Sequence, residues 1–171
     1  QQRTVYYEIE PQEEEAQKTQ FSMAAIVSDY TDVEQDLAWA VLTTVLAGTN
    51  EAPLKKAILD AGLGQDVELD LLDGILQPVL ILSVRNTDPD KIEQARAALI
   101  DAVEELCAGG LSHSQIHAAL NQLEFQYREK KEPSGIIFAQ SLYNSWLYGG
   151  DPLLYLDSGA CFGSLRDKTD A

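Results

Sequence analysis

Apolar residues in this chain recur with two periods, and the order in which those periods alternate restricts the folds open to it. Residues 4–10 (TVYYEIE) alternate aromatic or branched residues with polar ones, as a strand does. Pro11 ends that run, and the acidic stretch 12–18 reads as a solvated loop. Residues 20–29 (QFSMAAIVSD) read as a second, more buried strand. A second pair follows at 67–76 and 79–85, with Gly74 and Pro78 marking a turn or an irregular edge between them.

Around these pairs the period lengthens to that of a helix. Thr31 and Glu34 have capping-box spacing, so a helix starts near Asp32 with Val33, Leu37, Val41 and Val45, flanked by Ala38 and Leu42, as its apolar face. Gly48 stops it. Asn50-Glu51-Ala52-Pro53 opens a short helix over 54–61, ended by Gly62 and Gly64. Asp88-Pro89 reads as an N-cap with proline at the first helical position, ahead of Ile92, Ala95, Leu99, Val103 and Leu106 on one face; Gly109-Gly110 breaks that helix. Ser112 and Gln115 open another, which aligns Ile116, Leu120, Leu123 and Tyr127. After Pro133-Ser134-Gly135 comes a helix over 136–148 with Ile137, Leu142 and Trp146. Gly149-Gly150-Asp151-Pro152 is a stop and a fresh start, Leu156 closes the last strong apolar element, and the tail after Asp157 is polar and frayed.

The order β-β-α-α-β-β-α-α-α predicts an α+β fold, a two-layer sandwich of a mainly antiparallel sheet with helices on one face. The 171 residues suit one domain, 1–171. The sheet lacks an obvious closing strand, so the chain reads as clipped from something longer.

Twelve Lys and Arg against 28 Asp and Glu leave a formal charge of −16. Such a field repels phosphate backbones and anionic lipid, so nucleic acid and membrane surfaces are poor partners. It favours cationic peptides, although solubility alone explains an acidic surface. No run approaches the ~18 apolar residues of a spanning helix. Cys107 and Cys161 make no disulfide framework and no paired-cysteine zinc site; free thiols of a reducing, cytoplasmic or other soluble compartment are the reading.

Several groups are candidates for chemistry. His113 and His117 are four apart on a helix, so both imidazoles share a face, as helical zinc motifs require. A hydrolytic zinc also needs a third ligand and a general base. The base position of H-x-x-E-H is held here by Ile116, and no third ligand is evident. Glu124, Arg128 and Glu129 in LEFQYREKK read as a helix face carrying ion pairs rather than an acid–base dyad. Asp66, Glu68, Asp70 and Asp73 alternate on a strand without calcium-loop spacing, which makes them a polar outward face. Gly62-Leu63-Gly64 is too short for a phosphate loop. Residues 48–53 (GTNEAP) lead into a helix start whose free N–H groups could hold a peptide end or a carboxylate; an ordinary helix–helix turn is the simpler reading. No catalytic residue, metal ligand or cofactor of this chain follows from any of these.

Three segments resemble one family. LAGTNEAPL at 46–54 with LDAGLG at 59–64 resembles the G-x-x-S-P-L…G-L-G stretch of pitrilysin/insulinase-type zinc peptidases, presequence-protease branch. Gly110-Leu111 with NQLEF at 121–125 and Arg128-Glu129 resembles that branch's N-x-x-E-F-x-x-R-E helix. SWLYGGDPL at 145–153 resembles its W-L-Y-G-G-D-P-L segment. The resemblance runs from Val5 to about Leu165. It implies four homologous α/β domains per parent chain, the first carrying zinc on H-x-x-E-H, with this chain similar to the second, which lacks the metal. Placed on the metal helix, Trp39, Leu42 and Thr43 stand where His, Glu and His would be, and none of them binds zinc or carries a proton at neutral pH.

The resemblance further implies an inactive domain of a zinc oligopeptidase that scaffolds the active domain and lines a peptide chamber. Its partners would be the other domains of the polypeptide and peptide substrates, with the zinc in another domain. It implies a peptide anchor at Gly48, Thr49, Asn50 and Glu51 and on the strand near Leu71. The alternatives are a stand-alone acidic interaction module and a small zinc enzyme built on His113 and His117.

Overall fold

The computed structural model describes residues 1–129, 132–156 and 159–170. Its elements are β1 (Thr19–Ile26), α1 (Val33–Ala47), α2 (Pro53–Leu59), β2 (Asp66–Leu72), β3 (Val79–Thr87), a 3-10 turn (Pro89–Lys91), α3 (Ile92–Gly109), α4 (His113–Arg128), α5 (Ser134–Trp146) and α6 (Gly159–Asp170). The three strands form one antiparallel sheet in the order β1-β3-β2. The fold is α+β with a wholly antiparallel sheet among the described residues, as the alternation of periods requires.

Register explains which face is covered. Phe21, Leu82 and Leu69 share a face with Met23, Val84 and Val67, and there they meet Leu54 and Ile58 of α2 and Ala95 and Leu99 of α3. The opposite face presents Ser22, Ser83 and Glu68 at mid-strand and Ile26, Val79 and Leu72 at one end, where Ile26 is 61% and Leu72 52% exposed. A second core lies beside this one. Val33, Leu37, Val41 and Val45, the predicted stripe of α1, pack with Ala119 and Leu120 of α4 and Phe162 of α6.

Several expectations need correction. Residues 4–10 form no strand: the backbone is irregular there, Tyr6 is 91% exposed, the Tyr7 hydroxyl donates to the Lys18 carbonyl, and Glu10 bonds only to the adjacent turn at Glu13. Alternation sets which side chains would share a face, but no neighbouring layer buries Val5, Tyr7 or Ile9. The cap of α1 is Asp32, whose carboxylate accepts from Gln35 N at 3.0 Å, one residue later than the Thr31–Glu34 box. Asp88 does not cap α3. Its carboxylate accepts from Gln17 N at 2.7 Å and meets Lys91, while a 3-10 turn precedes Ile92. Val103, expected on the core stripe of α3, is 42% exposed. The expected polar, frayed tail is a helix. Asp157 itself lies outside the described residues, but α6 carries Phe162, 2% exposed, into the first core, because α1 and α4 together form a groove that takes its ring.

Candidate functional site

Glycine geometry accounts for two of the motifs. After α2, Gly62 takes φ +63° while Leu63 N–H donates back to the Ile58 carbonyl at 3.0 Å, a left-handed helix stop that glycine adopts without strain. A Cβ on Gly64 would lie 2.6 Å from Val84 Cγ1 and 3.2 Å from the Arg85 carbonyl oxygen. The loop therefore crosses β3 at backbone contact. In the segment 145–153, a Cβ on Gly150 would lie 2.9 Å from the Tyr30 ring, and Ser145, fully buried, donates to the Asp151 carbonyl.

That segment is held by a polar cluster at the start of α1. The Tyr155 hydroxyl donates to the Tyr30 carbonyl at 2.8 Å and approaches Asp36 Oδ2 at 3.2 Å. Ser28 donates to the other Asp36 oxygen. The Tyr30 and Tyr148 rings tilt against each other at 5.4 Å. Asp36 is 5% exposed, and burial first of all pushes its carboxyl above the ordinary aspartate value; the two hydroxyl donors oppose this, and Asp73 and Asp32 reinforce it. Burial and the Asp36 charge raise the Tyr155 phenol as well, so it stays a donor at neutral pH. A carboxylate in this setting is a structural tie: both oxygens face donors of the same domain.

The residues singled out for peptide anchoring are separated. Gly48, Thr49, Asn50 and Glu51 are exposed on the α1–α2 turn. The turn closes on itself through Ala52 N–H to the Thr49 carbonyl at 3.0 Å, and Glu51 lies 3.9 Å from Lys56. It is a helix–helix turn whose donors are partly spent. Leu71 is half-buried on the helix-covered face and pairs with Leu80, next to the pair Leu72–Val79. That end of the sheet adjoins the first turn of α1, since Val27 N–H donates to the Pro78 carbonyl and Gln35 Nε2 to the Val27 carbonyl. The turn sits at the other end of α1, about 20 Å away along the helix at ~1.5 Å per residue.

The other candidates resolve simply. His113 is exposed and His117 half-buried at the start of α4; among the described residues, no three His, Cys, Asp or Glu side chains are grouped to hold a metal ion. Glu68 faces outward and pairs with Arg85, and Asp66 pairs with Lys55 of α2 at 2.7 Å. Glu124 is only 15% exposed in its side chain and bridges Arg128 to Arg166 of α6, which also reaches Asn121 Oδ1 at 2.9 Å. Arg166 first, then Arg128, holds the Glu124 carboxyl below its ordinary value. The intrahelical pair was visible in the sequence. The α6 partner was not, because no pattern announced that helix. Lys130 and Lys131, at the end of the same stretch, lie outside the described residues. Among the described residues, no helix is long and apolar enough to cross a membrane.

A two-layer α+β domain, an antiparallel sheet covered by helices, is the class these observations define. The family follows from comparison: residues 2–123 match the model of the Peptidase M16 inactive domain, and the chain belongs to that family. It is 34% identical over 154 residues to protein HypA of Clostridium perfringens, which covers 88% of this chain but 16% of HypA. It is 27% identical over 125 residues to presequence protease 1, chloroplastic/mitochondrial, of Arabidopsis thaliana, covering 71% of this chain and 12% of that protein. This chain thus spans about a sixth or less of these relatives. Among solved structures it is similar to the inactive peptidase domain of a Bordetella parapertussis protein described as a zinc protease. The TM-score is 0.64 at 16% identity, over 88% of this chain and 77% of that one. The fold is therefore that of an inactive peptidase domain, and the resemblance read from the glycine and aromatic motifs holds.

Proposed function

We propose that this domain serves a zinc-dependent oligopeptidase as a non-catalytic wall, scaffolding the active domain and lining the chamber that receives peptides. The observation that carries this reading is the sheet, which among the described residues has helices on one face only. Its open face grades from Ile26, Val79 and Leu72 at one end to Ser22, Ser83, Glu68 and Arg85 further along. A surface of that kind accepts unstructured peptides of mixed sequence without selecting one. β2 is an edge strand, so its backbone is also available to an extended peptide. On this reading the peptide anchor combines Gly48, Thr49, Asn50 and Glu51 of the α1–α2 turn with the backbone of β2 near Leu71. Hydrolysis, on this reading, belongs to another domain of the parent polypeptide.

The test uses the full polypeptide that naturally carries this sequence. It should encode H-x-x-E-H outside this chain and cleave unstructured peptides. Glu68→Lys together with Asp70→Lys should lower kcat/KM for basic peptides and raise it for acidic ones. Peptidase activity indifferent to both substitutions rejects the chamber role. A polypeptide without the zinc motif supports the stand-alone interaction module instead.

A further inference from the structure

α5 is the least integrated helix of the domain. Only Ser145 of its thirteen residues is buried. Ile136, Tyr143, Trp146 and Leu147 fall within about a quarter-turn of one another at 100° per residue, and they are 59%, 48%, 60% and 69% exposed. Tyr143 and Trp146 stack with ring centroids 6.1 Å apart. An isolated helix of this length is marginal in water, at or below the ~12–15 residues needed even by good helix formers, so its stability calls for tertiary packing.

The composition of the segment says what kind of surface this is. From Ser134 to Gly150 no residue is charged, in a chain that is 23% charged overall. Loss of charge together with Tyr and Trp is the signature of an interface centre, not of a solvated face. The exposed parts of the four side chains amount to roughly 400–500 Å², taking about 150–250 Å² for each fully exposed aromatic. That falls short of the ~800 Å² per partner of a stable free-standing complex. A second copy of this chain would also bring together two bodies of charge −16. A tethered partner has neither handicap, because effective concentration replaces interface area. The relatives HypA and presequence protease 1 extend far beyond the matched region.

We infer that the α5 face built from Ile136, Tyr143, Trp146 and Leu147 is an interdomain seam, covered by an apolar surface of another part of the same longer polypeptide. This rests on the reading of the chain as one domain of a larger peptidase, and it names the contact through which that domain is held.

Hydroxyl-radical footprinting of the full natural polypeptide and of the 171-residue chain tests the seam. Tyr143 and Trp146 should be oxidised at least about fivefold more slowly in the full polypeptide, as burial at an interface centre demands. Equal oxidation in both, in a polypeptide that still cleaves peptides, overturns the seam while leaving the proposed function standing. Protection already present in the 171-residue chain, with a dimeric mass, assigns the face to a second copy and also overturns it. Trp146→Glu supplies a second measurement. It should leave the melting temperature of the 171-residue chain unchanged and make the full polypeptide more susceptible to limited proteolysis. A lower melting temperature in the short chain would mean that the face belongs to this domain's own core, and the inference fails.

Discussion

Tyr155→Phe isolates one hydroxyl and tests how the C-terminal third is tied to α1. The ring stays, so packing is conserved and only the donor is lost. That donor serves the Tyr30 carbonyl at 2.8 Å and, more weakly, Asp36 Oδ2 at 3.2 Å. A hydrogen bond shared with a buried carboxylate is worth about 1.5 kcal/mol, between the neutral and charged ranges. With an m-value of ~2 kcal/mol/M in urea, the midpoint should fall by about 0.7 M at pH 7. The cost depends on pH in a sense the structure fixes. Asp36 is held above its ordinary value of 3.8, chiefly by burial. A carboxyl raised in the folded state contributes stability fully below pH 3.8 and loses it as the pH climbs through the folded value. Tyr155 donates to the ionised form, so its removal raises the folded value further and widens the window of loss. The variant should therefore suffer more at pH 7 than near pH 3. Urea midpoints read by tryptophan fluorescence across that range measure both effects. An unchanged midpoint at neutral pH, or a penalty that grows on acidification, refutes the reasoning.

Ile58→Ala, at a fully buried position of the second core, should cost about 2–5 kcal/mol in urea unfolding. Gly64→Ala forces a methyl against Val84 Cγ1 and the Arg85 carbonyl and should cost about 1–3 kcal/mol, whereas Gly109→Ala, with open space around it, should not destabilise the fold; paired thermal melts separate the two. Glu124→Gln removes the anion between Arg128 and Arg166. Because Glu124 is held below its ordinary value, its contribution is present above the unfolded value and lost as the pH falls through the folded one. The gap in melting temperature between wild type and variant should accordingly close on acidification and narrow in high salt.

What could be read from the sequence divides along a physical line. α1 was legible because its stripe of Val33, Leu37, Val41 and Val45 is a local pattern that any apolar neighbour satisfies, and all four are buried. The β2–β3 hairpin was legible because Gly74, now at φ +67°, and Pro78 punctuate it locally. Residues 4–10 carry an equally clear alternation and form no strand, since pairing depends on a neighbour that the pattern does not contain. α6 shows the reverse: GACFGSLRDKTD has too few apolar residues to announce a helix, yet one ring, Phe162, finds a groove made by two distant helices. Glu124 and Arg166 lie 42 residues apart in sequence, so only half of their bridge could be seen in advance. In the sequence, Gly64 and Gly150 signal chain breaks. Their closer constraint is contact with Val84 and with the Tyr30 ring, a tertiary fact that a glycine in sequence does not reveal.

The two faces of α1 show how such a domain can be catalytically silent and keep its fold. Val33, Leu37, Val41 and Val45 form one stripe, directed at α4 and α6. Trp39, Leu42 and Thr43, set by resemblance where a catalytic sibling would carry its metal ligands and base, lie about half a turn away at 100° per residue, on the side of Leu46, which packs against the second core. Thr43 there donates its hydroxyl to the Ala40 carbonyl at 2.8 Å, so its polar group is satisfied within the helix. Packing and metal binding thus make demands on different faces of one helix. On that placement, Trp39, Leu42 and Thr43 leave untouched the stripe that holds α4 and α6. The core stripe and the Trp39, Leu42 and Thr43 side are thereby accommodated on opposite faces of a single fifteen-residue element.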